Sequence, residues 1–296
     1  MTWAALAVGA ALFQTARFVY LKKLSDVGLS PVGSTFARYA YSLPLGVLVL
    51  LVWIQVQDST LPNLTARFWS FVTIGALGQM LATICVIALF KRRHFAVGTV
   101  LKKTETLQAV FVGFAILGDT VSLFAFGAMI VGLVGVLLLS DQAEKMSWRG
   151  FLTPIAGLGL LSGLLFAFAG IGYRGAGLSI EGDDVFLRAT ITLAASLFIQ
   201  VALLRFYVGI WEPTEVLKVV RTWRTGIWVG VFSILASLCW FNAFILQNVA
   251  LVNAVGQVEV IFSLAASYFI FSERISKREY LGCGLIVSSV LLLVLM

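Results

Sequence analysis

Residues 96–122 read AVGTVLKKTETLQAVFVGFAILGDTVS, and 154 positions further on residues 250–276 read ALVNAVGQVEVIFSLAASYFIFSERIS. Laid over each other, Glu105 falls on Glu259, Asp119 on Glu273 and Ser122 on Ser276. Upstream, Cys85 falls on Cys239 and Phe90 on Phe244 at the same offset. Leu and Val matches arise by chance between any two apolar stretches; a Cys, two acids and a Ser at fixed spacing do not. The chain therefore reads as two related halves. An acid in hydrocarbon costs several kcal/mol unless it faces protein, a partner or a wet cavity. A repeated one points to a central site shared by both halves.

Composition sets the surroundings of that site. Of 296 residues, 60% are hydrophobic and 12% charged, and the mean hydropathy is +1.00. A soluble α/β enzyme would show apolar runs of about 4–8 residues with helices between them. Here the runs are mostly about 18–22 residues, the length that crosses a bilayer as a helix. Basic residues cluster at the ends of these runs, so the net charge of +7 speaks for headgroups and topology and against nucleic acid. Trp69, Trp148, Trp211, Trp223 and Trp228 also lie near ends, as an aromatic belt requires, while Trp240 lies inside a run. Cys85, Cys239 and Cys283 sit in apolar segments with no metal-ligand or disulfide spacing. The first run, MTWAALAVGA onward, lacks a basic start and a cleavage site and reads as a retained span.

Ten spans are expected, near 2–20, 34–55, 68–90, 95–117, 121–140, 150–172, 185–208, 225–246, 249–271 and 279–296. The fold class is all-α polytopic membrane protein. The connection SDQAEKMSWR separates the halves, giving one five-helix repeat over 1–140 and a second over 141–296. FARYAYSLPLGVLVL (36–50) also overlays FLRATITLAASLFIQ (186–200), bringing Arg38 onto Arg188, both expected to reach the interface. An odd number of spans per repeat inverts the second relative to the first, around a central cavity. The stretch GIWEPTEVLKVVRTWRT (209–225) reads as a connection holding a short interfacial helix. Basic residues favour the odd-numbered connections, from Lys22 and Lys23 through Lys91, Arg92 and Arg93 to Arg274, Lys277 and Arg278. That bias puts both termini outside.

The candidate site gathers around the matched glutamates. Lys102, Glu105 and Thr106 share a helical face, and Lys103 turns away by about 100°. Such a cluster suits recognition of a charged metabolite, with a structural ion pair and snorkelling lysines as the plainer alternatives. Glu259 has Asn253 and Gln257 along its own helix and no lysine, so it is favoured over Glu105 for holding and releasing a proton. Gln79, Thr83, Trp240, Asn242 and Gln257 are added as substrate-binding residues; each alone can equally serve helix packing. Gln14, Arg17 and Tyr41 are further polar positions inside spans. Asp119 with Ser122 and Glu273 with Ser276 read as structural residues of the two hairpins, capping helix starts. Gly127, Gly132 and Gly135, with Gly282 and Gly284, suit close packing of spans five and ten, or a homodimer. His94 sits in a basic turn and carries no metal reading; no metal, cofactor or catalytic set is expected.

Three stretches carry a family resemblance: FSERISKREYLGCGLIVSSVLLLVL after span nine, LGDTVSLFAFGAMIVGLVGVLLLS after span four, and SPVGSTFARYAYSLPL entering span two. With ten spans and both acidic turns, the chain resembles the drug/metabolite transporter superfamily, specifically the ten-helix EamA-type permeases, over nearly its whole length. The resemblance implies a bacterial inner-membrane protein working by alternating access, with spans five and ten peripheral. It also implies termini inside, against the charge bias. The KKTE sequence departs from the mostly apolar equivalent helix of many exporters. The expectation is a secondary transporter of a small polar or charged organic metabolite, coupled to protons. Export of amino acids or amphipathic drugs, or a non-transporting membrane binding protein, are the alternatives. No Walker-type phosphate loop and no nucleophile–base set occurs, which speaks against ATP coupling and against an enzyme.

Overall fold

The computed structural model describes residues 1–58, 60–90, 101–139, 153–271 and 276–295. His94, the basic turn around it, the central connection and Glu273 lie outside the described residues. Among the described residues the regular elements are helices: α1 Thr2–Asp26, α2 Pro31–Val56, α3 Ala66–Phe90, α4 Glu105–Leu117, α5 Leu123–Leu139, α6 Pro154–Leu178, α7 Val185–Trp211, α8 Pro213–Arg221, α9 Trp223–Leu246, α10 Val249–Gly256, α11 Glu259–Phe271 and α12 Lys277–Val294.

Local chemistry sets several starts. Ser30 and Thr153 precede a proline at the first helical position, and each side chain accepts a bond from an amide in the first turn, Gly33 and Ala156 respectively. Asp184 caps α7 through Leu187 N and accepts a bond from the Trp53 indole at 2.8 Å. Ser276 and Glu279 form a reciprocal capping box on α12, and Ser122 Oγ accepts from Ala125 N at the start of α5. The hairpin role read for both serines is thus a helix cap. Gly118, at φ 71°, closes α4 in the left-handed conformation that glycine adopts without strain.

Among the described residues six helices are long and apolar enough to cross a membrane: Thr2–Leu21, Pro31–Val56, Ala66–Leu89, Pro154–Leu178, Val185–Trp211 and Trp223–Leu246. Ten were expected. The difference has local causes. Span four is interrupted: Leu101 and Lys102 are helical, Lys103 and Thr104 turn, and α4 starts afresh at Glu105. Span nine is interrupted likewise, since α10 ends at Gly256, Gln257 and Val258 turn, and α11 starts at Glu259. Span five is described over 17 residues, Leu123–Leu139, up to the edge of the described range, and span ten opens on three charged residues, Lys277, Arg278 and Glu279. Span six runs on to Leu178, so Tyr173 and Arg174, expected in a loop, are helical. The segment 209–225 does hold a short helix, α8, with an apolar stripe along one side.

Packing between the halves is repeat-like. The most extensive contacts are α3 with α6, α1 with α9, α5 with α12 and α2 with α7. Exchanging the corresponding elements of the two halves turns the first pair into the second and leaves the other two unchanged. Small residues bring the backbones together. A Cβ on Gly172 would lie 2.5 Å from Gly75 N, and one on Gly135 would lie 2.8 Å from Gly282 O. Gly127 and Gly284, read from sequence as packing positions, face open space. Arg38 turns inward from the interface expected for it, while Arg188 stays half-buried at the start of α7. α2 begins far enough upstream to seat Arg38 between helices at 3% exposure, where Nη1 donates to Thr83 Oγ1 at 3.0 Å. Arg188 Nε donates to Gly177 O at 2.8 Å, closing the end of α6.

Candidate functional site

Lys102 and Glu105, at the first helix interruption, and Asn253, in the helix ahead of the second, line one cavity. The interruptions set Glu105 and Glu259 at matching places, each the first residue of the helix that follows a turn. The turns close with short-range backbone bonds: Thr104 N to Leu101 O, Gln257 N to Ala254 O and Val258 N to Val255 O. A helix start presents free amides and partial positive charge, an environment that favours a carboxylate. The repeated acids are therefore tied to a repeated break in the backbone.

The cavity comprises about 580 Å³ of empty space, part of it continuous with the exterior. α1 contributes Gln14, Arg17 and Phe18; α3 contributes Gln79; Lys102 and Glu105 come from the first interruption. α6 supplies Phe166, Ala169, Gly170 and Tyr173, α9 supplies Ser237, Trp240, Phe241 and Phe244, and α10 supplies Asn253. Both halves thus build the walls.

Two ion pairs flank the space. Lys102 Nζ lies 3.7 Å from Glu105 Oε2 and 4.6 Å from the centre of the Phe166 ring. Lys103 Nζ turns the other way and lies 3.0 Å from Glu259 Oε2. Gln14 Nε2 donates to the same oxygen at 2.9 Å. Gln14 Oε1 in turn accepts from Arg17 Nη2 at 3.0 Å and from the Trp240 indole at 3.3 Å. Glu259 looks unpartnered along its own helix, yet Lys103 reaches it from the other half. The premise that favoured it over Glu105 is corrected: Glu259 is the more tightly held of the two acids, and Glu105 is met by a longer contact.

The remaining sequence candidates divide. Gln79 and Trp240 line the cavity. Behind Gln79 lies a polar network in which Tyr173 OH donates to Gln79 Oε1 at 3.0 Å, Ser196 Oγ donates to Tyr173 OH at 2.9 Å, and Gln200 Nε2 reaches Gln79 Oε1 at 3.1 Å. Lys103 and Glu259 pair beside Gln14 without lining the cavity, and Thr83, Asn242 and Gln257 are not among the lining residues either. Thr83 Oγ1 bonds to Gln79 O and accepts from Arg38; Asn242 Nδ2 donates to Leu238 O at 2.7 Å; Gln257 Nε2 donates to Thr106 Oγ1 at 3.3 Å. These three make helix–helix or intrahelical bonds. Gln257 does link the halves beside the second interruption.

Asp119 braces more than its hairpin. Arg174, from α6, lies with Nε 3.0 Å from Asp119 Oδ2 and Nη2 3.3 Å from Oδ1. Its Nη1 donates to Phe244 O, Ile245 O and Gln247 O at 2.6, 3.3 and 2.9 Å. One guanidinium thus ties the α4–α5 hairpin of the first half to the end of α9 in the second. Sequence reasoning missed it because Arg174 was assigned to a loop.

Comparison with known proteins places this architecture. A search of curated proteins finds no match. Among solved structures 28 chains match. One of them, described only as "Crystal structure of protein", has a TM-score of 0.74 at 14% identity and covers 99% of this chain and 96% of its own. At that identity the likeness is one of fold. The model of the EamA-like transporter family matches twice, over residues 1–141 and 153–295. Ion pairs drawn from both halves around one cavity, and two successive family matches spanning nearly all residues, lead to one conclusion: the chain belongs to the EamA-like transporter family, a family of membrane permeases and not of enzymes.

Proposed function

We propose that the chain moves a small charged organic metabolite by alternating access, through ten crossings arranged as two inverted repeats over 1–140 and 141–296. The observation that carries this reading is one cavity walled by both halves and lined by Arg17, Lys102 and Glu105, with the Lys103–Glu259 pair, bonded to the lining residue Gln14, joining the two interrupted segments. Broken helices that present their ends to a central space are a recurrent way to bind charged solutes inside a bilayer. Aromatic side chains on α6 and α9 line the rest and suit an apolar portion of the substrate. That face also supports a second reading, export of amino acids or amphipathic compounds.

Coupling in this proposal runs through the carboxylates. Glu259 takes up a proton only once its contact with Lys103, which joins the halves, has opened. Substrate movement and proton movement are then linked by one inter-half bond. In proteoliposomes, Glu259→Gln should leave the protein folded and abolish the pH dependence of flux. Unchanged flux with unchanged pH dependence would overturn the coupling assignment.

A further inference from the structure

The cations around the cavity differ in their partners. Lys102 has Glu105 and Lys103 has Glu259. Arg17 has no carboxylate within 4.0 Å among the described residues, although it lines the cavity and is only 5% exposed. Its Nη2 is used by Gln14, and its Nε is buried without a hydrogen-bond partner. Behind it stands a second buried guanidinium, Arg38, close enough to act on Arg17 electrostatically and likewise left with an unbonded Nε. Among the described residues the two acids are each held by a lysine, Glu105 by Lys102 and Glu259 by Lys103, so Arg17 is acted on by Glu259 only from beyond contact distance and is opposed by Arg38. A buried charge without a counter-charge is strongly unfavourable, as is a buried donor left unsatisfied.

We propose that Arg17 is the docking group for the carboxylate of an organic anion whose apolar or aromatic body lies between Phe18, Phe166, Trp240 and Phe244. The inference rests on the transporter reading and narrows its substrate class. A guanidinium offers a planar set of donors that matches a carboxylate, and such charge-assisted bonds are shorter and stronger than neutral ones. The carboxylate supplies the missing contact counter-charge to the guanidinium. The aromatic walls shield the resulting pair from water and hold the body of the ligand by area burial. Neither of the flanking ion pairs has to break for this to happen.

The test titrates the full chain in lipid nanodiscs with phenylacetate, phenethylamine and phenyl phosphate, which share a ring and differ in the charged group, and reads binding by calorimetry. Phenylacetate should bind in saturable fashion and more tightly than the other two. Arg17→Gln should weaken it at least tenfold, and Arg17→Lys, which keeps the charge and loses the planar donors, should fall between. A melting curve accompanies each variant, and Arg17→Lys serves if Arg17→Gln does not fold. Equal phenylacetate affinity in Arg17→Lys and the parent, absence of phenylacetate binding, or tighter binding of phenethylamine or phenyl phosphate would overturn the assignment. Flux in proteoliposomes separates the two readings. If vesicles move another charged metabolite while phenylacetate is ignored, the transporter reading stands and this inference falls. Arg17-dependent binding without flux of any compound gives the reverse.

Discussion

Lys103 and Glu259 are 156 positions apart in the chain and lie 3.0 Å apart in the fold. Each sits at the interruption of its own half, so the pair joins the two breaks directly. Their side chains are 15% and 10% exposed, which removes most of the solvent screening that weakens surface pairs.

Removing one member is therefore expected to cost more than removing both. Lys103→Gln leaves a carboxylate in a low-dielectric surrounding and should destabilise the fold by about 3 kcal/mol. The double variant Lys103→Gln with Glu259→Gln should recover a large part of that loss, since no buried charge remains uncompensated. Melting temperatures of the four proteins in one detergent complete the cycle. Simple additivity of the two single effects would show that the pair is not coupled.

Arg174 holds five acceptors at once, the two Asp119 oxygens and three carbonyl oxygens at the end of α9. Arg174→Gln should cost about 3 kcal/mol through the stranded carboxylate and carbonyls. Asp119→Asn keeps the carbonyl contacts and should cost about 1 kcal/mol. Urea or thermal unfolding of the two variants measures the order, and a larger loss for Asp119→Asn would contradict this geometry.

Gly172 lies against the backbone of α3, where an added Cβ would approach Gly75 N at 2.5 Å and Phe71 O at 2.8 Å. Gly172→Ala should push α6 from α3 and cost about 1–3 kcal/mol by overpacking. Gly157, on the same helix, has nothing within 4 Å of the equivalent point. Gly157→Ala should leave the melting temperature unchanged or slightly raised.

Much of this architecture is legible from residues alone. The offset that brings Glu105 onto Glu259 marks the halves, and the apolar runs mark the long helices. The interruptions are not legible, because Lys103–Thr104 and Gln257–Val258 contain no proline and differ in character. Gly256 before the second break is the weak signal that was there. Partner choice was hidden for a different reason. Helical spacing describes neighbours on one helix, and it pairs Lys102 with Glu105 correctly. The partners of Glu259, Gln14 and Lys103, come from other segments and depend on the tertiary fold. Arg38 shows the same limit: nearness to a span end suggested the interface, while the register of α2 buried it.

The turns at 103–104 and 257–258 also change how the bundle can bend. A continuous helix resists flexing because every peptide is locked four residues away, and a sharp bend there breaks several bonds together. At the turns the backbone is closed by short three-residue loops, Thr104 to Leu101 at the first and Gln257 to Ala254 and Val258 to Val255 at the second. A bend at either turn would swing the piece that begins at Glu105, or its counterpart that begins at Glu259, about the segment ahead of it. Lys103 in one turn bonds Glu259 at the edge of the other, so a bend at one hinge would be felt at the second.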